Sequence, residues 1–113
     1  MPSSALQLLF FLGLLSLYAD VWAESRCLYV SSYHSGYHWN DGIEAGLAGS
    51  LAGVCDLTHF YMDTKRNKGE AFAKQKALEA KRLIDQTQPD VVIACDDNAS
   101  QYLVVPYLVN SGI

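Results

Sequence analysis

The chain has 113 residues, of which 50% are hydrophobic and 18% charged, with a formal net charge of −4 at pH 7. That length suits one small domain or part of a larger one. Nucleic acid is excluded as a partner: a phosphate backbone demands several neutralising side chains on one face, whereas the densest basic group here, Lys65, Arg66 and Lys68, reads as a solvated turn before a helix.

Residues 1–23, MPSSALQLLFFLGLLSLYADVWA, hold an apolar core over 6–18 and end in Val-Trp-Ala, with no Lys or Arg ahead of the core. A short apolar core closed by small residues at −3 and −1 is the pattern of a cleavable secretory signal. It is shorter than the ~20 residues of a comfortable membrane span. The expectation is a signal peptide over 1–23, cleaved after Ala23, and one exported domain over 24–113.

The remainder alternates strand and helix. Residues 28–31 are short, apolar and rich in strand formers, and a helix is expected from Asp41, with Glu44 three residues on as in a capping box. Ile43, Leu47, Leu51 and Val54 then recur on one helical face. LTHFYM (57–62) is a second strand. Residues 70–86 form the clearest helix: Phe72, Ala73, Ala77, Ala80, Leu83 and Ile84 share an arc, and Lys76 inside that arc must snorkel. Pro89-Asp90 launches VVIAC (91–95), a continuous apolar run expected to be covered on both faces. A last helical stretch starts near Asp97-Asn98 and is disturbed at Pro106.

The order βαβαβα with right-handed crossovers predicts an α/β three-layer sandwich with a parallel sheet in strand order 2-1-3. Cys27 and Cys55 then lie at the entry ends of neighbouring strands and Cys95 at an exit end. If a disulfide forms, the expected pair is therefore Cys27–Cys55, with Cys95 suited to burial as a free thiol. An odd cysteine count without CxxC spacing excludes a zinc knuckle.

Ligands of such sheets bind beyond the carboxyl ends of the strands, at the switch point between the first and third. Three segments meet there: 32–39, Asp63-Thr64, and Asp96-Asp97-Asn98. The first is crowded with Tyr33, His34, Tyr37, His38 and Trp39 around Gly36, ring systems suited to stacking on a planar or apolar ligand. The last offers carboxylates and an amide to an amine or hydroxyl, although Asp97 as a simple helix cap is the plainer reading. His34 and His38 lie four apart near Asp41, but on a glycine-containing loop that spacing implies no metal site. Bulky rings stand where a phosphate-binding loop needs small residues. Ser31-Ser32-Tyr33 stand where a receiver domain needs acids. Neither G-x-S-x-G nor a Cys with an adjacent His is present, so no catalytic pair is indicated.

The segments LYVSSYHSGYHWNDGIEAG, FYMDTKRNKGEAFAKQKALEAK and PDVVIACDDNASQYLVVPYL, in this order over 28–108, resemble the N-terminal lobe of the ABC-transporter substrate-binding family related to type I periplasmic binding proteins. The resemblance implies a periplasmic, non-enzymatic protein without a cofactor, in which two α/β lobes close over a small-molecule ligand. Such a protein delivers its ligand to an ABC permease or signals through a sensor partner. It places Ser32, Tyr33, His34, Tyr37, Trp39, Asp96, Asp97 and Asn98 at the cleft, with the opposite wall supplied by a second lobe that would follow Ile113. Ser35 and His38 stand where the family commonly has proline. The alternative reading is the ligand-sensing portion of a membrane receptor, a histidine kinase or diguanylate cyclase. A flavodoxin-like cofactor site ranks third.

Overall fold

A computed structural model describes residues 24–113; the expected signal peptide lies outside the described residues. The elements are β1 (Ser25–Ser31), α1 (His38–Leu51), β2 (Cys55–Tyr61), α2 (Glu70–Thr87), β3 (Val91–Cys95) and α3 (Asp97–Ala99), which continues as a π-helix over Ser100–Leu108. The three strands are all parallel, in the order β2-β1-β3. The expected α/β class and strand order are therefore present, with β1 central and Tyr29 registered between His59 and Ile93.

Strand alternation divides the side chains between two layers of helix. Leu28 and Val30 of β1, with Phe60, Met62, Val92 and Ala94, meet Ala77, Ala80 and Ile84 of α2 and Leu103 and Leu108 of the π-helix in one apolar cluster. Ala77 and Ala80 are the fully buried positions of the α2 stripe together with Ile84, which is why that stripe reads as small rather than bulky. Lys76 snorkels as expected: its ammonium lies 5.3 Å from the centre of the Phe60 ring and 2.7 Å from Glu79. The opposite face carries Tyr29, fully buried and edge-on to His59 at 5.7 Å, with His59 stacked on Tyr61. Here α1 lies alongside, its Glu44 next to the Tyr61 hydroxyl, whose pKa is raised first by burial and then by that carboxylate.

Three expectations need correction. The helix begins at His38, not Asp41: Tyr37 is its N-cap through backbone geometry, and no capping side chain is engaged. Asp41 falls inside the first turn, where its charge complements the helix dipole without closing a capping box. Val54 is not on the α1 face, because the helix ends at Leu51 and Gly53 at φ 74° turns the chain, leaving Val54 61% exposed. β3 is not covered on both faces; it is an edge strand, and Val91 is 48% exposed. The last helical stretch does start at Asp97, as expected, and its disturbance takes the form of a single α turn that widens to π geometry. The Val109 amide donates to the Val104 carbonyl at 3.0 Å, an i to i+5 bond, and Pro106 sits within this segment.

At the entry end of the sheet Cys27 and Cys55 are joined, with Cα atoms 5.9 Å apart, and Cys95 is free. The Arg26 amide donates to the Asp90 carboxylate at 2.8 Å, and its guanidinium donates to the Gln88 carbonyl at 2.8 Å. Covalent and polar ties thus pin all three strands at one end, and the disulfide has no counterpart among the described residues at the other.

Candidate functional site

All three strands leave the sheet through turns with unusual backbone. Gly36 has φ 85°, Asp63 φ 59° and Asp96 φ 76° with ψ 171°. The Asp96 conformation belongs to a region essentially reserved for glycine, and an L-residue held there costs about 1–3 kcal/mol. The loop thus holds a carboxylate at a backbone position that glycine would occupy without strain.

Ser32 holds the three loops together. It is fully buried; its hydroxyl donates to the Cys95 carbonyl at 2.8 Å and accepts from the Ala99 amide at 2.8 Å. Its own carbonyl accepts from the Thr64 amide at 3.0 Å and from the Thr64 hydroxyl, and the Asn98 amide group donates to that hydroxyl at 2.8 Å. Ser32, expected at the cleft surface, is therefore a clamp between the ends of β1, β2 and β3, with its hydroxyl already committed. Asn98 shares the clamp through its NH2 group.

The aromatic corner is anchored by a residue that sequence reasoning missed. Asn40, the buried residue of α1, donates to the Ser31 hydroxyl at 2.7 Å and to the His34 carbonyl at 3.1 Å. The Ser31 hydroxyl also accepts from the Tyr33 amide at 3.1 Å, and a turn closes from the Tyr37 amide to the His34 carbonyl at 3.2 Å. On this frame Tyr33 and Tyr37 meet edge to face at 5.1 Å, and the His34 ring tilts against Tyr37 at 5.4 Å. The Lys65 ammonium lies 5.7 Å from the centre of the Tyr33 ring and 5.4 Å from that of Tyr37. Lys65 is thus part of the site and not only a solvated turn.

Acidic groups border the rings. The exposed Trp39 indole donates to Asp96 Oδ1 at 3.1 Å, while Asp96 Oδ2 is buried without a partner. Asp97 is exposed. The Tyr33 hydroxyl is raised in pKa first by burial and next by Asp96, with Asp97 adding and Lys65 opposing. On the other side Asp63 accepts from Arg66 at 2.7 Å and from Asn67 at 3.0 Å, with His34 Nδ1 at 3.7 Å. The Arg66 hydrogen bond holds the Asp63 carboxyl below the ordinary carboxylate range. Burial pushes the Cys95 thiol up, a setting for an inert thiol and not a nucleophile.

Of the eight expected residues, Tyr33, His34, Tyr37, Trp39, Asp96 and Asp97 line one rim, and Ser32 and Asn98 lie in the clamp beneath it. His38 points to solvent at the start of α1. Among the described residues no three His, Cys, Asp or Glu side chains are grouped to hold a metal ion. Comparison with protein-family models, with curated proteins and with solved structures finds no match to the chain.

Proposed function

We propose that this chain is the N-terminal lobe of an exported solute-binding protein of the type I periplasmic-binding-protein-like kind, taking a small amine-bearing organic solute on the rim described above. The observation that carries the reading is the convergence of three strand exits on a surface that joins ring faces (Tyr33, Tyr37, Trp39) to the Asp96 and Asp97 carboxylates. Rings give a solute apolar contact, and a carboxylate orients its cationic end, the usual division of labour in a ligand pocket. The Cys27–Cys55 bond agrees with export, because disulfides persist in oxidising compartments. Delivery to an ABC permease follows from the resemblance of the three ordered motifs.

An NMR titration of the ¹⁵N-labelled protein with primary amines, amino acids and neutral sugars tests this, since it reads even millimolar binding to a single wall. The expected result is shifts at Tyr33, Trp39 and Asp97 with amine-bearing compounds, abolished by Asp97→Asn combined with Asp96→Asn. Shifts confined to the strand-entry end, or absent for every amine, would overturn the reading.

A further inference from the structure

Beside the aromatic corner lies a cleft of about 360 Å³, lined among others by Tyr33, Lys65, Lys68, Asn98 and Tyr102. That volume sits at the lower end of the range for small-molecule pockets, about 300–1,000 Å³. Three of the lysines of the described chain, Lys74, Lys76 and Lys81, are spent on ion pairs along α2 with Glu70, Glu79 and Asp85. Lys65 and Lys68 are the two without a carboxylate partner among the described residues, and both line this cleft. Glu70 lines it as well, but its charge is already answered by Lys74 at 2.7 Å.

Tyr33 belongs to both neighbourhoods. One set of charges acting on it is acidic, Asp96 and Asp97, and neither lines the cleft; the other is the Lys65 ammonium over its ring. The rim is therefore polarised across a single tyrosine, with two carboxylates in one direction and two unpaired ammonium groups in the other.

We propose that the solute carries an anionic group as well as its amine, and that Lys65 and Lys68 receive it in the cleft. The inference rests on the solute-binding reading above and narrows it: the site selects molecules with separated positive and negative ends bridged by an apolar body that lies on Tyr33. The rings of Tyr33 and Tyr37 attract the Lys65 ammonium and hold it at the mouth of the cleft, and a carboxylate arriving there gains a charge-assisted hydrogen bond, roughly twice as strong as a neutral one.

The test compares 4-(aminomethyl)benzoate with benzylamine, which lacks only the carboxylate on the far side of the ring, by NMR titration of the wild-type chain and of Lys65→Met combined with Lys68→Met. Lys81→Met, which removes a lysine paired with Asp85 on α2 and outside the cleft lining, is the control for loss of a lysine elsewhere. The expected result is that 4-(aminomethyl)benzoate binds at least tenfold more tightly than benzylamine. The double variant should erase that advantage without changing the affinity for benzylamine, and Lys81→Met should leave both unchanged. Equal affinities for the two probes on the wild-type chain, or an advantage that survives the double variant, would overturn the anionic subsite and leave the amine-binding reading standing. Failure of both probes to bind a chain whose spectrum is that of a folded protein would overturn both.

Discussion

The two faces of the sheet are closed by different physics. On one, α2 and the π-helix bury Leu28, Val30, Ile84 and Leu103 in a continuous apolar cluster. On the other, α1 buries Asn40, and its contacts are an amide group, a carboxylate beside Tyr61 and half-buried aliphatics. Apolar burial is non-directional and grows with area, so the α2 face supplies most of the stability. Hydrogen bonds are directional and modest in net energy, so the α1 face supplies position. The aromatic corner is carried by the weaker, more exacting face.

The sharpest way to break this contrast is to truncate one residue on each side. Ile84→Ala removes a buried side chain from the α2 cluster and is expected to cost about 2–5 kcal/mol by the large-to-small rule, read as a drop in denaturant midpoint. If Leu47→Ala on the half-buried face of α1 costs as much, the division between the faces is wrong. Cutting the Cys27–Cys55 bond by Cys27→Ser with Cys55→Ser releases a loop with sequence separation 28, an expected loss of about 3.6 kcal/mol in the chain-entropy model. That loss should be global and leave the Tyr33–Trp39 resonances of the folded population unmoved, since the bond sits at the opposite end of the sheet.

Asn40→Ala should cost less, about 1–3 kcal/mol for two lost hydrogen bonds at ~0.5–1.5 kcal/mol each, since the Ser31 hydroxyl keeps the Tyr33 amide and the His34 carbonyl keeps the Tyr37 amide. Its signature is local. Amides of 33–40 should exchange faster while α2 amides keep their protection, and uniform loss of protection would contradict the positional role. The smallest effect concerns pH. Asp63 is held ionised by Arg66, so its folded pKa lies below its unfolded one. Such a group stabilises the fold at pH above the unfolded value, and the contribution vanishes as pH falls through the folded value. At neutral pH the Asp63 link is therefore intact. Arg66→Ala should move the Asp63 carboxyl resonance to a higher titration midpoint, with little change in stability because the pair is exposed.

The same contrast explains what could be read in advance. The α2 stripe repeats over five turns, and the βαβ alternation leaves one chirality, so the stable face and the strand order followed from pattern alone. The disulfide pairing followed too, because strand direction places Cys27 and Cys55 together. The site was legible only as a neighbourhood. Asn40 carries no periodic signal, and its role depends on where the His34 carbonyl points after Gly36. Lys65 and Lys68 resemble any solvated turn until parallel register brings the loop after β2 beside the loop after β1. The apolar run of β3 suggested burial on both sides, but how far a strand is covered depends on what lies beside the sheet, not on the strand itself.

Asp96 carries one further consequence. The backbone at this position would relax if the side chain were removed, so Asp96→Gly is a rare substitution expected to harden the protein while removing a carboxylate from the proposed binding rim. A laboratory selection that rewards heat resistance alone would drift toward glycine here, and one that rewards capture of a cationic solute would drift back. Under the proposed function the position is a single-residue dial between durability and recognition, and the direction in which a population of variants moves at residue 96 reports which of the two is being asked of it.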